Sequence, residues 1–268
     1  MKAGGAAFPT IPQAALLILA GFLLQVVLGA ALHDHRRALD LGEHELDALV
    51  TLLANGLLLA TTLHLQGRSH RDLVHASGSS ILATAVLLVP PVLLLVPLIL
   101  HLDHALIDLL EHLFPLSRWE EQAFSRMVAG SIGTVVATCV LAPVLEEMLF
   151  RGVLLSAFMQ QHPRGVAIPA SALYFGAAHL NIYQFVLAFL LGLLLGWLYE
   201  RSRSLIPCMA LHGALNAWVM AAAHGSKAQT GSQDGLTLAS WLGAVVAALA
   251  GAWLLRRMLG RSRPSRSI

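Results

Sequence analysis

Apolar residues run along this chain in long blocks, separated by short polar connections. Blocks of about 20 such residues have the length a helix needs to cross the hydrocarbon core of a bilayer. Eight can be drawn, at roughly 12–32, 46–66, 79–102, 128–160, 165–180, 182–199, 204–223 and 237–257. The expected fold is therefore all-α: a polytopic membrane helix bundle of about eight transmembrane helices. Almost nothing remains outside the blocks, so residues 1–268 are expected to form a single integral membrane domain, without a soluble domain, tandem repeat or low-complexity linker.

Two blocks are irregular. LLVPPVLLLVPLIL carries Pro90, Pro91 and Pro97, which remove backbone donors and should kink or break the third span. Pro143 does the same one turn before Glu146. Gly192 and Gly196 in the sixth block share a face and permit close helix contact.

Composition agrees with the pattern: 57% of residues are hydrophobic and 12% charged, with a mean hydropathy of +0.71. The first block is too long and too sparsely charged at its front for a cleaved signal peptide, and is expected to stay as a helix. Basic residues fix the orientation, because they gather on the cytoplasmic side. One face receives 11 (Lys2, Arg68, Arg71, Arg164, Arg201, Arg203 and tail arginines 256, 257, 261, 263 and 266); the other receives 5 (Arg36, Arg37, Arg118, Arg126 and Lys227). Both termini are expected in the cytoplasm and the plasma membrane is the expected location. The tail RRMLGRSRPSRSI reads either as a solvated stop-transfer flank or as a contact for anionic headgroups.

Other candidate chemistry is thin. Cys139 and Cys208 lie inside apolar blocks and point to small apolar packing, with no disulfide framework or cysteine metal site. The run HLDHALIDLLEH places His101, His104, Asp108 and His112 on one helical stripe. A metal site there is one reading; an amphipathic interfacial helix with Phe114 and Trp119 at its edge is the simpler one.

The stretch APVLEEMLFRGVLL is different, for it sets Glu146, Glu147 and Arg151 inside a span. A charge at a helix centre costs about 2.5–3.5 kcal/mol to insert, so something must hold these three. Glu147 and Arg151 are spaced i,i+4 with the acid first, the favourable order for an ion pair. Glu146 lies about 100° round the helix and needs partners from elsewhere. LYFGAAHL offers His179, with Phe175 one turn earlier to wall the imidazole, and LIPCMALHGALNAW offers His212 and Asn216, with Gly213 leaving room for close approach. Intramembrane polar residues face the bundle interior, so Glu146, His179, His212 and Asn216 are expected to converge from three helices on one wet pocket.

Taken in order, E-E-x-x-x-R (Glu146, Glu147, Arg151), F-x-x-x-H (Phe175, His179) and H-x-x-x-N (His212, Asn216) resemble the motifs of the CAAX prenyl endopeptidase and bacteriocin-processing (Abi) family of intramembrane proteases. The resemblance covers about 128–223, the expected catalytic core; the first three spans and the last carry no matching motif. It implies a helical bundle of about eight spans and peptide-bond hydrolysis beside the membrane, on a prenylated C-terminal motif or a leader or sorting peptide. Members long labelled metalloproteases are pictured as using a glutamate-activated water.

The residues support that chemistry in their own right. Hydrolysis of an amide needs a base for water, an acid for the leaving amine and donors for the oxyanion. Glu146 is the expected base, His179 the second holder of the water, and His212 and Asn216 the donors. Glu147 and Arg151 would orient them, or Arg151 would meet a substrate carboxylate. With zinc instead, Glu146, His179 and His212 would be the ligands; the absence of an H-E-x-x-H helix favours no metal and no other cofactor. Expected partners are a peptide or lipid-modified protein substrate and membrane lipids, not nucleic acid. Two rival classes are a silent immunity or scaffold protein, disfavoured by costly intact polar residues, and a proton-coupled transporter, disfavoured by the lack of matched broken helices in two halves. One geometric tension stands: at 1.5 Å per residue His212 lies about 12 Å from the Arg203 end of its span, and His179 about 22 Å from Arg164.

Overall fold

The computed structural model describes residues 8–36, 38, 40, 42–121, 132–226 and 237–260. Arg37, Arg126, Lys227 and the tail from 261 lie outside the described residues, as do 128–131 at the start of the fourth expected span. The described chain is helical, with α1 (Ile11–His33), α2 (Glu43–Gln66), α3 (His70–Val74), α4 (Ile81–Leu93), α5 (Val96–Leu113), α6 (Ile132–Gln161), α7 (Arg164–Ala177), α8 (Ile182–Ser202), α9 (Ile206–Ser226) and α10 (Leu238–Leu259). Five of these, α1, α2, α6, α8 and α10, are long and apolar enough to cross a membrane, and the α4–α5 pair adds a bent sixth. The chain is an integral, multi-pass, all-helical membrane protein. The fifth expected span is only 14 residues of helix, and the apolar part of α9 is also short.

The prolines act where their chemistry requires. Pro90 and Pro91 sit in the last turn of α4, and Pro97 opens α5. The two axes diverge by 43°. Gly251 of α10 packs against the break, where a Cβ would come within 2.5 Å of the Pro91 carbonyl oxygen. The histidine stripe lies on α5, whose C-cap is Phe114. His101 donates from Nδ1 to the Pro97 carbonyl at 2.8 Å, faces Ser240 Oγ at 3.2 Å and meets Trp241 edge-on. His104 and Asp108 are exposed and 3.8 Å apart.

The core is built around α6, whose residues Met148–Leu155 are all buried. The α7–α8 hairpin closes on it through small residues: a Cβ on Gly192 would meet that of Ala172 at 2.9 Å, and one on Gly196 would meet Ile168 at 2.8 Å. The close contact expected of these glycines is thus made. The connection ahead of α9 is also held firmly. Ala76 N–H donates to the Arg203 carbonyl and Leu205 N–H to that of Val74, with His75 Nδ1 and Ser204 Oγ 3.0 Å apart between them. That clasp fixes the start of α9, which carries His212 and Asn216.

Candidate active site

Two stretches of α6 wind as π-helix, Ala137–Leu141 and Met148–Leu155, and they bracket the two glutamates. Such widened turns recur at functional sites because they leave carbonyls out of the ordinary register. In the first, Ala142 N–H bonds back five residues to the Ala137 carbonyl. The next bond in that register would run from residue 143 to Thr138, but Pro143 has no N–H. Asn216 supplies the missing donor, with Nδ2 2.9 Å from the Thr138 carbonyl oxygen. Beside it Gly213 lets α9 close in, since a Cβ there would be 2.7 Å from the Cys139 carbonyl oxygen. In the second stretch, Ser171 Oγ donates to the Phe150 carbonyl and Arg68 Nη1 to that of Gly152. Arg68, a loop charge by its place in the sequence, is therefore a partner of the core helix.

The bonding separates the two glutamates. Glu147 is fully buried and its Oε1 accepts two bonds, from Arg151 Nη1 at 2.7 Å and from His212 Nδ1 at 2.9 Å. Arg151 is 1% exposed and lies over the Phe175 ring, 4.2 Å from its centroid. Glu146 is turned the other way, with 23% of its side chain exposed, 3.8 Å from His212 Nε2.

Phe175 is the pivot of the aromatic groups. It meets His179 edge-on at 5.3 Å and His212 at 5.6 Å between ring centroids. The expected depth mismatch is resolved by where α7 ends. The helix stops at Ala177, and His179 sits in the turn beyond it, before Leu180 takes a left-handed φ of 54° and Asn181 caps α8. The short helix brings that imidazole into the bundle. His179 donates from Nδ1 to the Phe175 carbonyl at 2.9 Å, which leaves Nε2 for other partners.

Glu146 and His179 both line a cavity of about 200 Å³. Its far wall comes from α1 and α2 and includes Gln25, Thr51 and Asn55. These three are functional candidates absent from the sequence reading, although Thr51 and Asn55 are polar and spaced i,i+4 within an apolar helix. Of the residues expected to converge, Glu146 and His179 face the cavity, His212 bridges the two glutamates, and Asn216 faces the α6 backbone.

The site thus sets one buried, bonded carboxylate, an imidazole held between the two acids and one open carboxylate beside a cavity. Residues 128–218 match the family model described as "Type II CAAX prenyl endopeptidase Rce1-like", so this segment is similar to the CAAX protease family. No curated protein and no solved structure matched the chain.

Proposed function

We propose that the protein is an intramembrane endopeptidase that hydrolyses a peptide bond beside the membrane with water activated by Glu146. The observation that carries this reading is the division of labour between adjacent carboxylates, Glu147 buried and doubly bonded, Glu146 open to the cavity that His179 also lines. Glu146 takes a proton from water while His179 Nε2 holds the same water, and the hydroxide adds to the scissile carbonyl carbon. The oxyanion is met by His212 Nε2–H, which requires that ring as the imidazolium, because Nδ1–H is committed to Glu147. Glu146 then passes its proton to the leaving nitrogen as the C–N bond breaks, giving a carboxylate and an amine. Asn216 holds His212 at its place by tying α9 to Thr138, with its second N–H left for the oxyanion.

The substrate class that fits the family is a CAAX-type, lipid-modified C-terminus, with a leader or sorting peptide as the alternative. Eight crossings with both termini in the cytoplasm, in the plasma membrane, complete the reading; the excess of basic residues on one face supports that orientation. Comparison of membrane-protein termini between cells carrying the native protein and cells carrying Glu146→Ala tests it. A peptide cleaved only with the native protein identifies the substrate, and no difference would favour the silent-scaffold reading. His179→Ala is expected to abolish that cleavage with the protein still folded in the membrane, and Asn216→Ala to reduce it less.

Zinc is the competing version. Among the described residues no three His, Cys, Asp or Glu side chains are grouped so as to hold a metal ion, which supports the metal-free reading over zinc on Glu146, His179 and His212. Turnover by the purified enzyme is expected to survive dialysis against a strong chelator with less than about a twofold loss; stoichiometric zinc that tracks activity through removal and re-addition would reverse the assignment.

A further inference from the structure

Polar side chains that serve the fold of α1 and α2 have evident partners. Gln13 closes the capping box with Thr10, Thr62 Oγ1 donates to the Leu58 carbonyl at 2.7 Å, and Gln66 Nε2 donates to the Phe8 carbonyl at 2.7 Å. Gln25, Thr51 and Asn55 are different. None of the three makes a side-chain hydrogen bond to another described residue, and all three line the cavity with Glu146 and His179. Thr51 and Asn55 lie in the middle of α2 and Gln25 in the second half of α1, at depths where an idle amide or hydroxyl is costly. Such groups in a membrane protein mark the path of a polar ligand.

The surroundings define that ligand. Two amides and a hydroxyl each present a donor and an acceptor, which suits neither an anion nor a cation but matches the alternating N–H and C=O groups of an extended peptide. Phe22, Leu58 and Phe150 supply an apolar part of the same cavity. Its volume of about 200 Å³ is below the roughly 300–1,000 Å³ of a pocket that encloses a whole drug-sized ligand. It suits the residues flanking one bond.

We propose that Gln25, Thr51 and Asn55 bind the substrate's main chain next to the scissile bond, and that an aliphatic side chain of the substrate sits against Phe22, Leu58 and Phe150. The inference rests on the proteolytic reading above and assigns substrate binding to the α1–α2 hairpin, outside the segment that matches the family. A main chain entering the membrane carries unpaired N–H and C=O groups, and these side chains replace the water it loses. The catalytic groups of α6 and the turn after α7 would then meet a peptide held from the opposite wall.

The test uses the full chain in liposomes and a quenched-fluorescent farnesylated CAAX peptide. Thr51→Val and Asn55→Leu keep side-chain shape and delete the polar groups. Each is expected to raise KM, Asn55→Leu by about five- to tenfold and Thr51→Val by about threefold, from the loss of one neutral hydrogen bond. Turnover at saturation should stay within about twofold and thermal unfolding should not fall, the pattern of lost binding rather than lost structure. Wild-type cleavage with KM unmoved in both variants would overturn this inference and leave the proteolytic reading standing. Failure of the wild type to cleave the peptide would overturn both readings for CAAX substrates.

Discussion

Glu146→Gln is expected to lower turnover by about 10³-fold or more while leaving the amount and thermal unfolding of the membrane-embedded protein unchanged. The amide has nearly the same shape as the carboxylate and keeps its place on the cavity, but it cannot take a proton from water. General base catalysis supplies about 10²–10⁴-fold in rate, and here the same group also returns the proton, so the loss belongs at the upper end. Glu147→Gln separates the two acids. Glu147 is 0% exposed and carries two bonds from Arg151 and His212, so its replacement should act through stability and through the orientation of His212, not by removing the base. The measurement is kcat on one peptide together with unfolding in the same detergent. A Glu146→Gln enzyme with more than about a tenth of native turnover, beside an inactive but stable Glu147→Gln enzyme, would transfer the base to Glu147.

Much of this site is legible in the sequence because lipid makes charge conspicuous. Glu146, Glu147 and Arg151 stand out in APVLEEMLFRGVLL, and helical spacing alone pairs the last two, as the 2.7 Å contact shows. Spacing also puts Phe175 beside His179 and Gly213 where a neighbouring backbone comes close. What periodicity does not contain is the departure from it. A depth count along regular helices sets the two imidazoles at different levels, whereas α7 ends at Ala177 and both rings lie against Phe175. The widened turns of α6 are likewise invisible to a 3.6-residue template. Pro143 is recognisable as a missing donor, but not that the freed carbonyl at Thr138 is taken by Asn216 from 78 residues away.

The opposite cavity wall is hidden for another reason. Uncharged amides and hydroxyls hardly disturb an apolar average, and Gln25, Thr51 and Asn55 belong to no motif. Only their convergence with Glu146 gives them meaning, and that convergence is a property of tertiary packing. The same holds for Arg68. A loop cation by sequence, it instead reaches the Gly152 carbonyl at 3.2 Å and Ser156 at 3.1 Å, joining the α2 end to the core helix.

Arg151→Met is expected to be the most destabilising single change at the site, by about 3–5 kcal/mol, the range for removing one partner of a buried ion pair. The guanidinium is 1% exposed, and without it Glu147 would remain buried with His212 as its sole side-chain donor among the described residues. The native cluster is itself only partly satisfied, since Glu147 Oε2 and Arg151 Nε and Nη2 have no hydrogen-bond partner in the described structure. An isolated buried carboxylate costs more than an ion pair, whereas a neutral amide at the same place costs less than either. The double variant Glu147→Gln/Arg151→Met should therefore recover most of the lost stability: the amide that replaces the carboxylate is uncharged, its carbonyl can still accept from His212 Nδ1, and methionine fills the space over the Phe175 ring. Denaturant titration in one detergent, with His212 orientation followed by ring-nitrogen NMR, checks both halves. If the double variant proves no more stable than Arg151→Met alone, the loss comes from packing against Phe175 rather than from the stranded charge, and the pair is not what holds His212 beside Glu146.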